Sequence, residues 1–290
     1  MTTSPTAEAT ARLRAAGCVF AEEEAALLVA EAPPALLETW LARRVAGEPL
    51  EHVLGWASFD GLRVPVAPGV FVPRQRSVLL VREAARAATR RRRGEPVVVD
   101  LCAGTGAVGL AVAVRVPGAR VHAVDVDPAA VACAAQALAG VGGVAYLGDL
   151  VAPLPPELRG HVDVLVANAP YVPSDEVAMM PREAREHEPA VALDGGPDGL
   201  DVQRRIIALA PDWLAPDGRL LVETSRRQAS ASARAMTAVG LRVRVLHDDA
   251  LEATVVVGRP GVAPRPRLAP PGAGSWRRAH RRRDRGRDVG

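Results

Sequence analysis

Apolar and polar positions follow two different patterns in the first quarter of this chain. Residues 7–46 repeat apolar side chains at the three- and four-residue spacing of amphipathic helices. Residues 47–75 alternate over shorter runs on either side of Asp60-Gly61, a dipeptide typical of tight hairpin turns. These patterns predict an N-terminal helical domain at residues 1–46, followed by a β-hairpin connector.

From residue 76 to residue 258 the pattern changes to short apolar strands separated by helical segments, which is typical of an α/β domain. The first four strands are predicted at Val97–Leu101, Arg120–Asp125, Val144–Asp149 and Val162–Ala167. The last two, at 241–246 and 252–257, have only a short link and should pair antiparallel. A parallel sheet closed by an antiparallel hairpin is the sheet of methyltransferases and not that of dehydrogenases.

A glycine-rich turn, Cys102 to Gly106, follows the first of these strands. Gly104-x-Gly106-x-x-Gly109 matches the dinucleotide fingerprint, which alone is weak evidence. The spacing of Asp100, Gly104 and Gly106 also matches the S-adenosylmethionine motif. A pyrophosphate prefers a bare helix N-terminus, whereas a positively charged sulfonium cofactor accepts an acid such as Asp100 beside it. We therefore expect S-adenosylmethionine and not NAD(P).

Acidic residues stand at the ends of three successive predicted strands. They are Asp100, Asp125 and Asp149. The carboxyl ends of parallel strands share one edge of a sheet, where ligands bind. The two oxygens of Asp125 suit the hydroxyls of a ribose, and Asp149 suits the amine of an adenine. This series favours a nucleoside-containing cofactor over plain strand-end acids.

The tetrapeptide Asn168-Ala169-Pro170-Tyr171 comes directly after the fourth strand. The side-chain oxygen of Asn168 and the carbonyl of Ala169 can each accept one N–H, and the Tyr171 ring can lie against a flat group. We call this segment the cradle. It suits a methyltransferase that acts on an amide or an exocyclic amine nitrogen. The alternative interpretation is a strand that ends in a proline-containing turn.

Together, these motifs resemble the HemK/PrmC family of protein-(glutamine-N5) methyltransferases, which carries Asn-Pro-Pro-Tyr at the cradle. The resemblance covers roughly residues 10–258. Its other parts are Arg44-x-x-Gly47-Glu48-Pro49-Leu50, Phe59-x-Gly61-Leu62, Val72-Pro73-Arg74, Glu188-Pro189, the run from Ala192 to Leu200, Glu223 and Gln228.

The resemblance implies a class I S-adenosylmethionine-dependent methyltransferase fold, with a Rossmann-like seven-stranded sheet, and an enzyme of the EC 2.1.1 class. The implied substrate is the glutamine of a Gly-Gly-Gln loop in a translation release factor. The implied cofactor-binding residues are Asp100, Cys102, Ala103, Gly104, Thr105, Gly106, Asp125, Asp149, Leu150 and Asn168. The implied catalytic residues are Asn168, Ala169, Pro170 and Tyr171.

Three departures from the family pattern indicate a divergent paralogue. Cys102 replaces the first glycine of the turn, and Ala169 replaces the first proline of the cradle. Pro170 still biases Ala169 towards an extended backbone. The family's Pro-Arg-Pro-Glu-Thr-Glu is replaced here by Pro73-Arg74-Gln75-Arg76-Ser77-Val78.

Composition adds a charge asymmetry. Residues 259–290 carry ten arginines and two aspartates, so this Pro- and Gly-rich tail is predicted to be disordered and is a candidate for contact with RNA or the ribosome. Residues 1–258 have a net charge of −5, a poor match for duplex nucleic acid. Three unclustered cysteines predict neither a metal site nor a disulfide framework. With no signal peptide and no long apolar run, we expect a cytoplasmic protein without membrane contact. We also expect a monomer.

Three other functions stay open on the sequence. The same cradle fits the amine of adenine, so an adenine-N6 nucleic-acid methyltransferase is one alternative, although the chain has only 9 aromatic residues for base stacking. A non-catalytic paralogue that binds the cofactor is the second, because Cys102 and Ala169 depart from the family. An NAD(P) dehydrogenase is the third, and it depends on the Gly104 fingerprint alone.

Overall fold

The computed structural model describes residues 4–90 and 94–261. Eleven α-helices are formed within these residues, and they are α1 Pro5–Ala15, α2 Ala21–Glu31, α3 Leu37–Val45, α4 Leu50–Leu54, α5 Val78–Ala88, α6 Ala107–Arg115, α7 Pro128–Leu138, α8 Arg182–His187, α9 Ala190–Leu193, α10 Asp201–Trp213 and α11 Ala229–Ala238. The nine strands of the same ranges are β1 Trp56–Phe59, β2 Leu62–Pro65, β3 Val97–Leu101, β4 Arg120–Asp125, β5 Val144–Leu147, β6 Val162–Ala167, β7 Leu214–Glu223, β8 Leu241–Asp248 and β9 Ala253–Pro260.

Seven of these strands form one sheet, in the order β5-β4-β3-β6-β7-β9-β8. The first five strands in this order, from β5 through β4, β3 and β6 to β7, run parallel, and β9 pairs antiparallel with both β7 and β8. The expected seven-stranded sheet with an antiparallel closing hairpin is therefore confirmed. Within residues 4–90 and 94–261, no helix is both long and apolar enough to cross a membrane.

Apolar side chains cover both faces of this sheet, as the uninterrupted apolar strands predict. One core contains Val98 and Val164 with side chains of α5, α6 and α7. The other contains Val99 and Leu165 with side chains of α10 and α11. Because successive residues of one strand point to opposite faces, β3 and β6 are buried on both faces and are held firmly in the centre of the domain.

The N-terminal helices α1 to α4 have a small apolar core of their own around Leu13, Leu28 and Leu41. Strands β1 and β2 pair antiparallel across Asp60 and Gly61, both of which have positive φ. The preceding helix α4 lies inside the segment that the sequence assigned to the hairpin connector. The division of the chain into domains stays a prediction.

Strand β9 continues to Pro260, because Arg259 pairs with Arg242 and Pro260 with Leu241. The strand thus extends two residues past the predicted domain boundary at residue 258, which stays a prediction. The rest of the arginine-rich tail, from residue 262 onwards, lies outside the described residues, as do residues 91–93.

The register of the central strands determines which residues share the carboxyl edge of the sheet. Leu101 of β3 stands beside Val124 of β4 and Ala167 of β6. One residue further along, Cys102, Asp125 and Asn168 therefore emerge at the same level. Residues separated by more than 60 positions in the sequence are brought together in this way.

Helix α6 packs so closely on the sheet that only glycine fits at position 109. A Cβ there would lie 2.9 Å from Val121 Cγ1 and 3.2 Å from Asp100 Oδ2. We expect Gly109→Ala to lower the free energy of unfolding by about 1–2 kcal/mol in urea titrations, because overpacking outweighs the higher helix propensity of alanine. The matched control is Gly140→Ala, where a Cβ meets no atom within 4 Å and stability should hardly change. Equal stability of the two variants would contradict this account of the packing.

Candidate active site

A cavity of about 450 Å³ opens at the carboxyl edge of β3, β4 and β6. All of the sequence-predicted site residues except Gly106 line it. Gly106 lies beneath the turn instead, where a Cβ would lie 3.0 Å from the Cα and Cβ atoms of Ala134 in α7. The predicted site residues therefore meet at one cavity, with Gly106 in a packing position, and their roles stay predictions.

Backbone hydrogen bonds connect the glycine turn to the end of β4. Gly104 N donates to Asp125 Oδ2 at 2.8 Å, and Asp127 N donates to Oδ1 at 3.0 Å. Ala103 N donates to the carbonyl of Val124 at 3.1 Å. Asp125 is thus held rigidly with its carboxylate at the cavity wall, and burial raises its pKa.

Asp100 is almost completely buried at the base of the cavity. Its Oδ2 accepts a hydrogen bond from Gly109 N at 2.9 Å. Burial raises the pKa of Asp100 to about 7; the Gly109 bond lowers it, and the nearby charge of Asp125 raises it. Two carboxylates in a confined space disfavour each other's ionised form, so this site favours a ligand that carries positive charge.

Cys102 adopts a left-handed backbone with φ of +56°, a conformation that favours glycine. The neighbouring Gly104 and Gly106 also have positive φ, at +53° and +73°. The family's glycine at position 102 therefore has a physical reason, and the cysteine here adopts the same turn under strain. Burial raises the pKa of the Cys102 thiol, which disfavours a reactive thiolate.

Asp149 lies two residues beyond the end of β5, at an exposed side of the cavity. Its Oδ2 contacts the guanidinium of Arg205 on α10. The carboxylate that the sequence assigned to an adenine amine thus has an arginine partner. Arg205 was missed by sequence reasoning, since its partner is 56 residues away.

The cradle is held from behind by residues that follow it in the sequence. Gln228 Nε2 donates to the carbonyls of Tyr171 and Asp198, each at 2.9 Å. Gly199 packs so tightly against the Tyr171 carbonyl that a Cβ there would overlap it. Gly195 N donates to the carbonyl of Val172 at 2.8 Å. The glycines of this segment let its backbone lie directly against the cradle.

Two other contacts place the cradle within the fold. Asn168 Nδ2 donates to Ser77 Oγ at 3.2 Å. The buried Glu188 accepts hydrogen bonds from Val72 N at 3.3 Å and from Arg74 Nη2 at 2.5 Å, and these bonds connect the hairpin connector to the segment behind the cradle. Sequence reasoning missed Ser77, which lies in the segment where the chain departs from the family pattern.

No group of three or more His, Cys, Asp or Glu side chains is placed to hold a metal ion in the described parts of the chain.

Comparison with known proteins agrees with this geometry. A protein-family model described as "Methyltransferase small domain" matches residues 65–185. A methyltransferase from Pyrococcus furiosus has the same fold, with a TM-score of 0.51 and 16% identity over 78% of this chain and 100% of that one. A Thermus thermophilus 16S rRNA N2 G1207 methyltransferase, solved with its methyl donor and guanosine, has a TM-score of 0.50 and 23% identity over 71% and 50% of the two chains.

The sequence relatives are closer. A release factor glutamine methyltransferase from Mycolicibacterium smegmatis is 38% identical over 90% of this chain and 96% of that one. The chain belongs to the release factor glutamine methyltransferase family. The chain is also 37% identical, over 82% of its own length and of the other's, to a 4-amino-L-phenylalanine/4-methylamino-L-phenylalanine methyltransferase from Streptomyces pristinaespiralis.

Membership of the release factor glutamine methyltransferase family confirms the class I methyltransferase fold that the sequence predicted. It also makes this protein a methyltransferase whose cofactor is S-adenosylmethionine. The dehydrogenase alternative is therefore wrong. The third glycine of the apparent dinucleotide fingerprint, Gly109, is explained by the close packing of α6 on the sheet.

The strain at Cys102 gives a stability prediction. Cys102→Gly should raise the free energy of unfolding by up to about 1 kcal/mol, because relief of a left-handed residue outweighs the greater freedom of glycine in the unfolded chain. Cys102→Ala is the matched control, since it removes the thiol but keeps the strained backbone, and it should be less stable than Cys102→Gly. Urea titration of the three proteins measures both effects. A glycine variant less stable than the alanine variant would show that the turn is not strained.

Proposed function

We propose that this protein transfers the methyl group of S-adenosylmethionine to the side-chain amide nitrogen, N5, of a glutamine in a translation release factor. The relative from M. smegmatis, whose name states that substrate, is matched over 96% of its length. The observation that carries the proposal is the cradle, with Asn168 and Ala169 at the cavity wall directly after β6. A cytoplasmic location, where translation takes place, belongs to the same proposal.

The residues at the carboxyl edge fit the cofactor in charge and in space. Burial raises the pKa of both Asp100 and Asp125, so a sulfonium cation would relieve their mutual repulsion. At Gly104 a Cβ would meet no protein atom within 4 Å, so the backbone is open on that side. In this proposal the turn from Cys102 to Gly106 holds the methionine and ribose part, Asp125 binds the ribose hydroxyls, and Asp149 with Leu150 lies beside the adenine.

The bound cofactor supplies an electrophilic methyl group. The cradle supplies two acceptors for the two N–H bonds of the substrate amide, Asn168 Oδ1 and the Ala169 carbonyl. They orient the nitrogen towards the methyl group and stabilise the positive charge that grows on it, so catalysis is mainly positioning and electrostatics. Pro170 stiffens the segment, and the ring of Tyr171 packs beside the flat amide.

The proton balance of this reaction needs no strong base. When bound, the cofactor would supply the methyl group and its sulfur would keep the electron pair of the broken bond, while the methylated nitrogen would release one proton to water. Burial raises the pKa of Tyr171 to about 12, so its hydroxyl keeps its proton and is not the acceptor. Asp100 is engaged by Gly109 N at the base of the cavity and acts on the cofactor side.

A small aromatic amine is the second candidate substrate. The similarity to the S. pristinaespiralis enzyme named for 4-amino-L-phenylalanine extends over 82% of each chain. Two aromatic rings, Phe59 and Phe71, line the cavity together with the guanidinium groups of Arg74 and Arg76. The rings suit the aromatic ring of such a substrate, and the guanidinium groups suit its carboxylate. The cradle accepts both amine protons of such a substrate as it does those of an amide.

Methyl-transfer assays with labelled S-adenosylmethionine decide between these candidates. The full chain is supplied separately with a purified release factor, 4-amino-L-phenylalanine and an adenine-containing oligonucleotide. We expect label in the release factor, located by mass spectrometry on the glutamine of its Gly-Gly-Gln loop. Label only in the aromatic amine or only in the oligonucleotide would replace the glutamine proposal with the corresponding alternative.

Removal of the Asn168 side chain tests the cradle. We expect Asn168→Ala to lower kcat about 100-fold or more, because one oriented acceptor is lost where charge develops in the transition state. The melting temperature should change little, since the side chain faces the cavity. Thr237→Ala, at an exposed position on α11, is the control and should retain the wild-type rate. Wild-type kcat in Asn168→Ala would rule out the cradle assignment.

Cofactor affinity should depend on pH because of Asp100. A cation favours the ionised carboxylate, and the ionised fraction of Asp100 grows as pH rises through its pKa of about 7. Calorimetry should therefore show that S-adenosylmethionine binds about 3- to 10-fold more tightly at pH 8 than at about pH 6. S-adenosylhomocysteine, which lacks the sulfonium charge, is the matched ligand and should show a weaker pH dependence. The same dependence for both ligands would contradict a carboxylate–sulfonium interaction.

A further inference from the structure

The side-chain amide of Asn168 can work in only one of its two orientations. Its oxygen accepts hydrogen bonds and its NH₂ group donates them, while the two ends have nearly the same shape. A substrate amide or amine brings N–H donors, so Asn168 Oδ1 must face it. In the structure Nδ2 donates to Ser77 Oγ at 3.2 Å, the orientation that leaves Oδ1 for the cavity.

Ser77 by itself does not impose this orientation. Ser77 is 2% exposed and lies at the end of a 3₁₀ turn, Gln75–Ser77, that leads into α5. A hydroxyl either accepts a bond from the Asn168 NH₂ group or donates its proton to the Asn168 oxygen. Ser77 is fixed as an acceptor for Asn168 only when a second group accepts the hydrogen bond that the Ser77 hydroxyl donates.

Glu223 is the group that can accept this hydrogen bond. It is the last residue of β7 and is 1% exposed. Burial raises its pKa, while the Ser77 hydroxyl, the charge of Arg76 and the Tyr171 hydroxyl lower it. Neither oxygen of the Glu223 carboxylate has a partner at full hydrogen-bond geometry among the described residues, so the carboxylate still needs donors. The hydroxyls of Ser77 and Tyr171 are the donors that face it. The hydrogen bonds of an active site often reach full geometry only when the substrate binds.

The charges around Glu223 favour its ionised form only modestly. Arg76 Nε lies 3.8 Å from Glu223 Oε1, and Tyr171, with its raised pKa of about 12, faces the carboxylate as a protonated donor. Glu223 also lines a second cavity of about 410 Å³, whose other charged lining residues are Arg76, Arg226, Asp249 and Glu252. An ionised carboxylate accepts hydrogen bonds and donates none, so both hydroxyls must point towards it.

We propose that Glu223 is a positioning residue that, through Ser77, holds the Asn168 amide with its oxygen towards the substrate nitrogen. This inference rests on the proposed function only in that the substrate presents N–H groups to Asn168. When Glu223 loses its charge, it can donate to Ser77, the direction of the hydrogen bonds reverses, and Asn168 can flip. The expected result is a lower kcat with unchanged cofactor binding.

The amide itself can be observed without turnover, because Asn168 is the only asparagine in the chain. Protein labelled with ¹⁵N-asparagine gives one pair of side-chain NH₂ signals. In the wild type we expect one of the two protons to be shifted downfield and protected from exchange by its bond to Ser77. Ser77→Ala and Glu223→Gln should lose this downfield shift and this protection, and Ser77→Thr should keep both. Acidification should move the wild-type signals towards those of Glu223→Gln, with a midpoint above the usual glutamate pKa of about 4.3.

Kinetics test whether this orientation matters for the reaction. With the substrate that the wild type methylates, we expect Ser77→Ala to lower kcat about 10-fold or more, because a misoriented catalytic group costs at least that much, and Ser77→Thr to restore most of it. The KM for S-adenosylmethionine should stay the same. The matched control is Glu83→Gln, a buried carboxylate on α5 that pairs with Arg86 and Arg244 and should leave kcat and the Asn168 signals unchanged.

Two outcomes would overturn the proposal: wild-type kcat in Ser77→Ala, or Asn168 signals that are the same in the wild type, Ser77→Ala and Glu223→Gln. Failure of the proposed function has a different signature, namely a wild type that methylates no glutamine. The NMR experiment needs no substrate, so it judges the Glu223–Ser77–Asn168 contacts in that case as well.

Discussion

The site depends on the parallel pairing of β3 with β4 on one side and β6 on the other. This pairing sets Leu101, Val124 and Ala167 in one row, so the chain leaves the sheet at the same level three times. A slip of one residue would turn every side chain of a strand to the other face, and both faces here are apolar cores. The cores on the two faces therefore specify the register, and the register specifies which residues meet at the cavity.

The second constraint is the electrostatic character of that edge. Asp100, Asp125 and Glu223 are carboxylates whose pKa burial raises, and Arg76 approaches only the last of them. Such a site is costly while it is empty of positive charge. A sulfonium cofactor and a nitrogen that becomes positive during the reaction both relieve this cost, so the same acidity serves binding and catalysis.

Much of the fold and part of the site could be predicted from the sequence, because both have short-range signals. The apolar runs gave β3, β4 and β6 with their observed bounds, and the glycine turn and cradle followed directly from the strand ends. The left-handed backbone at Cys102 explains why a glycine belongs there in the family.

What could not be predicted depends on partners distant in sequence. The contact between Asn168 and Ser77 joins residues 91 positions apart, and the pairing of Asp149 with Arg205 appears only when α10 packs against the sheet. The sequence indicated Glu223 only as part of the family resemblance, because neither its burial nor its lack of donors can be recognised from its neighbours along the chain.

The proposed reaction requires that the cradle hold the substrate nitrogen with two acceptors. The most direct test is a crystal structure of the full chain with S-adenosylhomocysteine and a Gly-Gly-Gln peptide. We expect the glutamine nitrogen about 3 Å from both Asn168 Oδ1 and the Ala169 carbonyl oxygen, with the Asn168 NH₂ group donating to Ser77 Oγ. A glutamine bound elsewhere, or an Asn168 whose NH₂ group faces the substrate, would contradict it.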